Sequence, residues 1–122
     1  MAITLDHINI RTNDLEAVSE TLVRTLGLEA GHRPPFKTEG IWLYGNGYPI
    51  VHLSKRDFVP GDDTGAVDHI AFKDDDFDGL TARLEAEGID FDLRVVPASG
   101  VRQVFFKVNH DVKIEVGFDP AA

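Results

Sequence analysis

The chain has 122 residues, 43% of them apolar, and carries 21 acidic against 12 basic side chains for a formal net charge of −9. That length suits one small domain, or two halves too small to bury much core alone. The absence of cysteine excludes disulfides and thiolate chemistry, and there is neither a basic stripe for nucleic acid nor an apolar run near the roughly 20 residues that span a bilayer. The opening residues Met1-Ala2-Ile3-Thr4-Leu5-Asp6 lack the basic and apolar regions of a signal peptide. A cytoplasmic protein that binds neither membrane nor nucleic acid is expected. Arg11, Lys73, Arg102, Lys107 and Lys113 fall among predicted strands and leave room for a local anion site.

Residues 3–10 alternate and are rich in β-branched side chains, which predicts a strand. Asn13 or Asp14 can cap a helix by accepting the free amide hydrogens of its first turn. Leu15, Val18, Leu22 and Leu26 then share one helical face, and Gly27 suits the left-handed end. Strands are expected near 28–33, 39–45 and 48–54, with Asn46-Gly47 as a hairpin turn. An acidic, glycine-containing link runs from Val59 to Gly65. Beyond it the order repeats. A strand leads to a cap at Asp74–Asp76, then to a stripe of Phe77, Leu80 and Leu84 ended by Gly88. Strands follow near 90–96, 101–107 and 111–118.

The repetition is visible in the letters. Residues 5–22, LDHINIRTNDLEAVSETL, align with residues 67–84, VDHIAFKDDDFDGLTARL, at an offset of 62. Val51-His52-Leu53 aligns with Ile114-Glu115-Val116 at an offset of 63. The chain therefore reads as one domain over residues 1–122, built from a tandem pair of βαβββ modules at 1–55 and 66–118 with a linker at 56–65. The fold class is α+β, a curled mixed sheet with helices on its outer face.

Side chains alternate across a strand. Ile8 and Ile10, Val51 and Leu53, Ile70 and Phe72, and Ile114 and Val116 fall on the helix side. His7, His52, His69 and Glu115 fall on the opposite face, at matching places in the two modules. Imidazole and carboxylate together suit first-row divalent metals. A lone histidine there would be a solvated surface residue, whereas four ligand-type residues in a duplicated motif point to a metal. Trp42, Tyr44, Phe105 and Phe106 read as core or cleft wall, and His32 and His110 as surface or rim.

Three fragments, LDHINIRTNDLEAVSETLVRTLGL, GAVDHIAFKDDDFDGLTARLEAEGI and VKIEVGF, in this order and spacing, resemble the modules of the vicinal-oxygen-chelate superfamily. That superfamily includes glyoxalases, extradiol dioxygenases, fosfomycin-resistance proteins, methylmalonyl-coenzyme A epimerases and bleomycin-binding proteins. The resemblance covers nearly the whole chain. It implies metal ligands on the first and last strands of each module, here His7, His52, His69 and Glu115. One divalent ion is implied per site: iron, manganese, nickel, cobalt or zinc. His7, His69 and Glu115 match the two-histidine, one-carboxylate set of the dioxygenases and fosfomycin enzymes. His52 departs from the glutamate usual in glyoxalases, and Asn9 stands where fosfomycin enzymes often carry threonine. Arg11 matches an arginine that grips the carboxylate of glutathione. Arg56 stands where those enzymes carry an asparagine, and Asn109-His110-Asp111-Val112 replaces the usual Asp-Pro-Asp-Gly turn.

The resemblance implies a small-molecule substrate and a homodimer with two equivalent sites. Glu115, the only carboxylate in the set, is the candidate general base. Asn9, Arg11, Arg102 and Lys107 are candidate substrate contacts. Three functions stay open. The first is a glyoxalase-like lyase or isomerase that chelates vicinal oxygens and stabilises an enediolate. The second is an iron-dependent extradiol-type dioxygenase, and the third a metal-free drug-binding protein.

Overall fold

The computed structural model describes residues 3–121. The chain forms two compact units that divide between Val59 and Pro60. Each is a four-stranded sheet with one helix, in the α+β class that the repeat predicts.

In the first unit the elements are β1 (Ile8–Thr12), α1 (Leu15–Leu26), β2 (Glu29–Gly31), β3 (Gly40–Gly45) and β4 (Tyr48–Lys55), with sheet order β1-β4-β3-β2. The second unit repeats this plan with β5 (Ile70–Lys73), α2 (Phe77–Ala86), β6 (Asp92–Val95), β7 (Arg102–Val108) and β8 (Val112–Phe118), in the order β5-β8-β7-β6. The registers repeat as well. Ile8 pairs in parallel with Val51, and its counterpart Ile70 pairs with Ile114. His52 lies opposite Trp42, and Glu115 lies opposite Phe105.

Local chemistry sets the element ends. The Asp14 carboxylate accepts from the Ala17 N–H at 3.1 Å, and Asp76 does the same for Gly79 at 3.0 Å, so both helices have the expected acidic caps. Gly27 takes φ 71° and returns its N–H to the Val23 carbonyl, a turn that a side chain would strain. Asn46 and Gly47 both have positive φ (55° and 77°), as the β3–β4 hairpin requires.

The first strand is shorter than its alternation suggests, beginning at Ile8 rather than near residue 3. In this parallel register Asp6 would face Pro49, which has no N–H to give, and the Pro49 carbonyl already accepts from His52. In the second unit His69 would face Lys113, whose N–H goes instead to Thr64 Oγ1 at 2.8 Å. The two histidines therefore stand just ahead of their strands. Their backbones are free of the ladder and their rings stay beside the last strand of each sheet.

One face of each sheet packs on its helix. Ile10, Val18, Leu22, Leu43, Val51 and Leu53 form the buried core of the first unit. Leu80, Leu84, Val104, Phe106, Ile114, Val116 and Phe118 form that of the second. On α1 the buried stripe is Val18, Ser19, Leu22 and Thr25, with Leu15 and Leu26 half-buried, so the helix is rolled slightly from the expected face. Thr25 tolerates burial because its hydroxyl donates to the Thr21 carbonyl at 2.7 Å. Among the described residues no helix is long and apolar enough to cross a membrane.

Candidate functional site

In the first unit His7 Nδ1 lies 2.6 Å from Asp6 Oδ2. A carboxylate only accepts, so Nδ1 carries a proton and Nε2 is the nitrogen left to meet a ligand. Tyr48 Oη donates to the other Asp6 oxygen. The hydrogen bonds from His7 and Tyr48 hold the Asp6 carboxyl below its usual range and push the Tyr48 phenol up. The His7 ring stacks on His52, with centroids 3.8 Å apart and planes 12° apart. His52 in turn stacks on Trp42 at 4.0 Å and 13°. His52 is buried, donates Nε2–H to the Pro49 carbonyl at 3.0 Å, and keeps its lone pair on Nδ1. Its pKa is lowered mainly by burial and secondly by the charge of His7. A metal lies in the plane of an imidazole that binds it, so two parallel stacked rings cannot both be in-plane donors to one ion.

The second unit repeats the dyad. His69 Nδ1 faces Asp68 Oδ2 at 2.8 Å, again leaving Nε2 outward. The hydrogen bond from His69, helped by the nearby Lys113 ammonium, keeps the Asp68 carboxyl low. Here Nε2 looks onto Glu115 Oε1 at 3.2 Å, and the Glu115 side chain is only 15% exposed. A lone pair facing a carboxylate is repulsive unless a cation, either a proton or a metal ion, lies with them. Two atoms each about 2.1 Å from one ion are about 3.0 Å apart at a right angle and about 3.4 Å apart at the tetrahedral angle. The observed pair fits adjacent ligands of one ion. Phe105 walls this pair, edge-on to His69 at 5.9 Å. Among the described residues no three His, Asp or Glu side chains of one cluster form a metal cage, and each unit brings its own histidine–carboxylate dyad.

The other expected residues divide. Asn9 shares the open face with His52, and its Oδ1 accepts from Ser54 Oγ at 3.0 Å. The Arg11 guanidinium lies 4.5 Å from the Phe58 ring centroid. Lys107 is exposed and gives Nζ to the Asp62 carbonyl. Arg102 is turned the other way: its guanidinium covers Phe77 of α2 at 4.4 Å and its Nε donates to the Asp119 carbonyl. It therefore lies on the helix side, away from His69 and Glu115. His110 sits in the β7–β8 turn with φ 69°, and His32 gives its carbonyl to the Tyr44 hydroxyl.

A cleft of about 630 Å³ opens beside the stacked rings of the first unit, lined by His7, Trp42 and His52 and by Arg33, Phe36 and Lys37. The last three come from the loop between β2 and β3. The sequence singles out only His32 there, as surface or rim, because the stretch shows no periodicity. The signal that would have found it is Arg33-Pro34-Pro35-Phe36-Lys37, two cations and an aromatic on a stiff diproline in an acidic chain.

A profile of the Glyoxalase/Bleomycin resistance protein/Dioxygenase superfamily matches residues 4–116. No curated sequence matches significantly. Among solved structures, the fosfomycin resistance protein FosX of Listeria monocytogenes is 20% identical, with a TM-score of 0.79 over 97% of this chain and 94% of that one. A mutant of that protein is complexed with Mn(II) and 1S,2S-dihydroxypropylphosphonic acid. A glyoxylase/bleomycin resistance protein/dioxygenase domain from Frankia sp. EAN1pec is 19% identical, with a TM-score of 0.79 over 98% and 99% of the two chains. An integron cassette protein from Halifax Harbour sewage outfall is 18% identical, with a TM-score of 0.70 over 94% and 97%. At these identities the structural likeness concerns the fold, while the profile spans nearly the whole chain. The chain belongs to the Glyoxalase/Bleomycin resistance protein/Dioxygenase superfamily.

Proposed function

We propose that the chain is a divalent-metal-dependent enzyme acting on a small molecule with two neighbouring oxygens, with His7, His69 and Glu115 as metal-ligating residues. The observation that carries this reading is the duplicated Asp–His dyad, with Glu115 Oε1 set 3.2 Å from His69 Nε2. Carboxylates behind ligating histidines fix their tautomer and raise their basicity, a design with little purpose on a solvated face. The Mn(II) held by FosX supports a metal in this fold.

A bound divalent cation supplies Lewis acidity toward substrate oxygens. The chain supplies the rest. Asp6 and Asp68 hold the Nδ1–H of His7 and His69 and so fix the orientation of each ring. Glu115 is the one carboxylate beside the pair and takes the proton from carbon next to a carbonyl, as in a glyoxalase-like lyase or isomerase. Its half-buried position beside Phe105 limits water around the transferred proton. His52, stacked between His7 and Trp42, serves as a packing wall that holds His7 in place.

One observation favours a second reading. With His52 set aside, two histidines and one carboxylate remain, the set used by non-haem iron oxygenases. An iron-dependent extradiol-type dioxygenase is that alternative. The functional unit is proposed as a homodimer, and light scattering showing only monomer at micromolar concentration opposes it.

The test is metal analysis of purified protein, followed by assay with Fe(II), Mn(II), Ni(II), Co(II) and Zn(II) restored singly. Oxygen uptake with catechols under iron selects the dioxygenase. Loss of a glutathione–methylglyoxal hemithioacetal selects the lyase. His69→Ala is expected to lose metal, and unchanged occupancy refutes the ligand assignment. Ligand binding without metal or turnover selects a sequestering protein.

A further inference from the structure

The β2–β3 loop, residues 32–39, is longer than its counterpart at 96–101 and supplies part of the cleft wall. Pro34 and Pro35 stiffen it, and the Phe36 N–H closes back on the Pro34 carbonyl at 2.8 Å. The result is a presented ring, with Phe36 left 55% exposed and tilted 44° to Trp42 at 6.1 Å. Phe36 thereby lines the cleft together with Trp42. The opposite wall is also flat, formed by the His7–His52–Trp42 stack.

The charge in the cleft runs against that of the chain. Arg33 and Lys37 both line it, although the protein carries a formal net charge of −9. Asp6 lies on the same wall, but its two oxygens are taken by His7 and Tyr48. The Arg33 guanidinium is fixed by Nη2 donating to the Thr38 carbonyl at 3.0 Å and by the Phe36 ring at 5.0 Å. Gly40 makes room for it, since a Cβ there would lie 2.7 Å from Nη2. Arg33 Nε is the one buried side-chain nitrogen or oxygen without a hydrogen-bond partner among the described residues. A buried donor left unpaired is costly.

We infer that this cleft binds a planar, conjugated carboxylate, its anion gripped by Arg33 and Lys37 and its flat body laid against Phe36 and the stacked rings. This deepens the proposed function by naming a substrate class, and it rests on that reading only in treating the bound acid as substrate. An anion in the field of a fixed guanidinium accepts charge-assisted hydrogen bonds, and ring walls favour flat over puckered ligands. The volume of about 630 Å³ lies in the range of small-molecule sites.

Trp42 is the only tryptophan, so its fluorescence reports the cleft directly. The probe is benzoate, titrated into the full chain in the presence of EDTA, with benzamide (flat, neutral) and cyclohexanecarboxylate (charged, puckered) as comparisons. Saturable quenching by benzoate is expected, at least tenfold tighter than by either comparison compound. Arg33→Gln and Lys37→Gln are each expected to weaken it at least tenfold, while Lys107→Gln, outside the cleft, leaves it unchanged. Lys37 is exposed, so its replacement tests the idea even if Arg33→Gln does not fold. Absence of saturation, equal binding of benzamide, or wild-type affinity in Lys37→Gln overturns the inference. Protein that binds benzoate but no metal refutes the metal-enzyme reading alone, and protein that binds metal but not benzoate refutes this one alone.

Discussion

Replacing Gly40 by alanine tests the strand and the cleft together. A Cβ at this position would lie 2.4 Å from the Leu53 carbonyl oxygen and 2.7 Å from Arg33 Nη2. The two contacts differ in stiffness. The Leu53 oxygen belongs to β4 where Gly40 pairs with Ser54, so it moves only by loosening the ladder. The guanidinium is the free end of a flexible side chain and can swing away. Overpacking of this kind costs about 1–3 kcal/mol. With an unfolding entropy of about 2.1 cal/mol/K per residue over 122 residues, that lowers Tm by about 4–12 °C. Circular dichroism melts measure it, and Gly61→Ala is the control, since nothing lies within 4 Å of a Cβ there. The displaced guanidinium should also weaken benzoate binding. A Gly40→Ala protein with the Tm and benzoate affinity of the parent refutes the account of why this glycine is there.

Removing the carboxylate behind the ligand, Asp68→Ala, is expected to weaken Mn(II) binding about 10–100-fold with the fold intact, as measured by calorimetry; unaltered affinity removes the orienting role of the dyad. His110→Gly relieves a non-glycine residue held at φ 69° and should stabilise the protein by about 0.5–1 kcal/mol in urea melts. Burial lowers the pKa of His52 below its ordinary 6.5. As pH falls below 6.5 the unfolded chain takes up this proton first, so the stability contributed by neutral His52 is present above that value and is lost as pH falls through the folded pKa. Urea melts in EDTA should show this decline, and His52→Phe should flatten it.

Legibility followed the range of the interactions. The helix caps at Asp14 and Asp76 and the Asn46-Gly47 turn depend on residues within four positions of each other, and all were readable. The repeated βαβββ order was readable because two copies reported the same pattern. The start of β1 was not, because it depends on what Pro49 and His52 do forty residues later. The triple stack was also hidden. It needs Trp42 directly opposite His52, and the register slips by one residue just beyond, at Leu43/Tyr44. The placement of Arg102 was not readable, because a long cation reads as polar, whereas its guanidinium covers Phe77 on the helix side. The β2–β3 loop carried no periodicity at all, and its meaning lies in where its ends are pinned.

The two modules share a scaffold and differ at two matching positions beside the histidine. Each has an aspartate behind a histidine ahead of its first strand. Opposite that histidine the last strand offers His52 in one copy and Glu115 in the other, and the facing strand offers Trp42 or Phe105. A carboxylate with a single edge-on ring near it keeps an oxygen free for a cation or a proton. An imidazole sandwiched between His7 and Trp42 gives up that freedom, because its ring plane is fixed and one nitrogen is tied to the Pro49 carbonyl. The first module therefore gains a rigid flat wall, next to which the Arg33–Lys37 loop adds charge. The second keeps the only acid–base group beside a ligand. If the proposed function and the proposed anion cleft hold, variants of the β2–β3 loop act on ligand affinity while variants at Glu115 act on turnover.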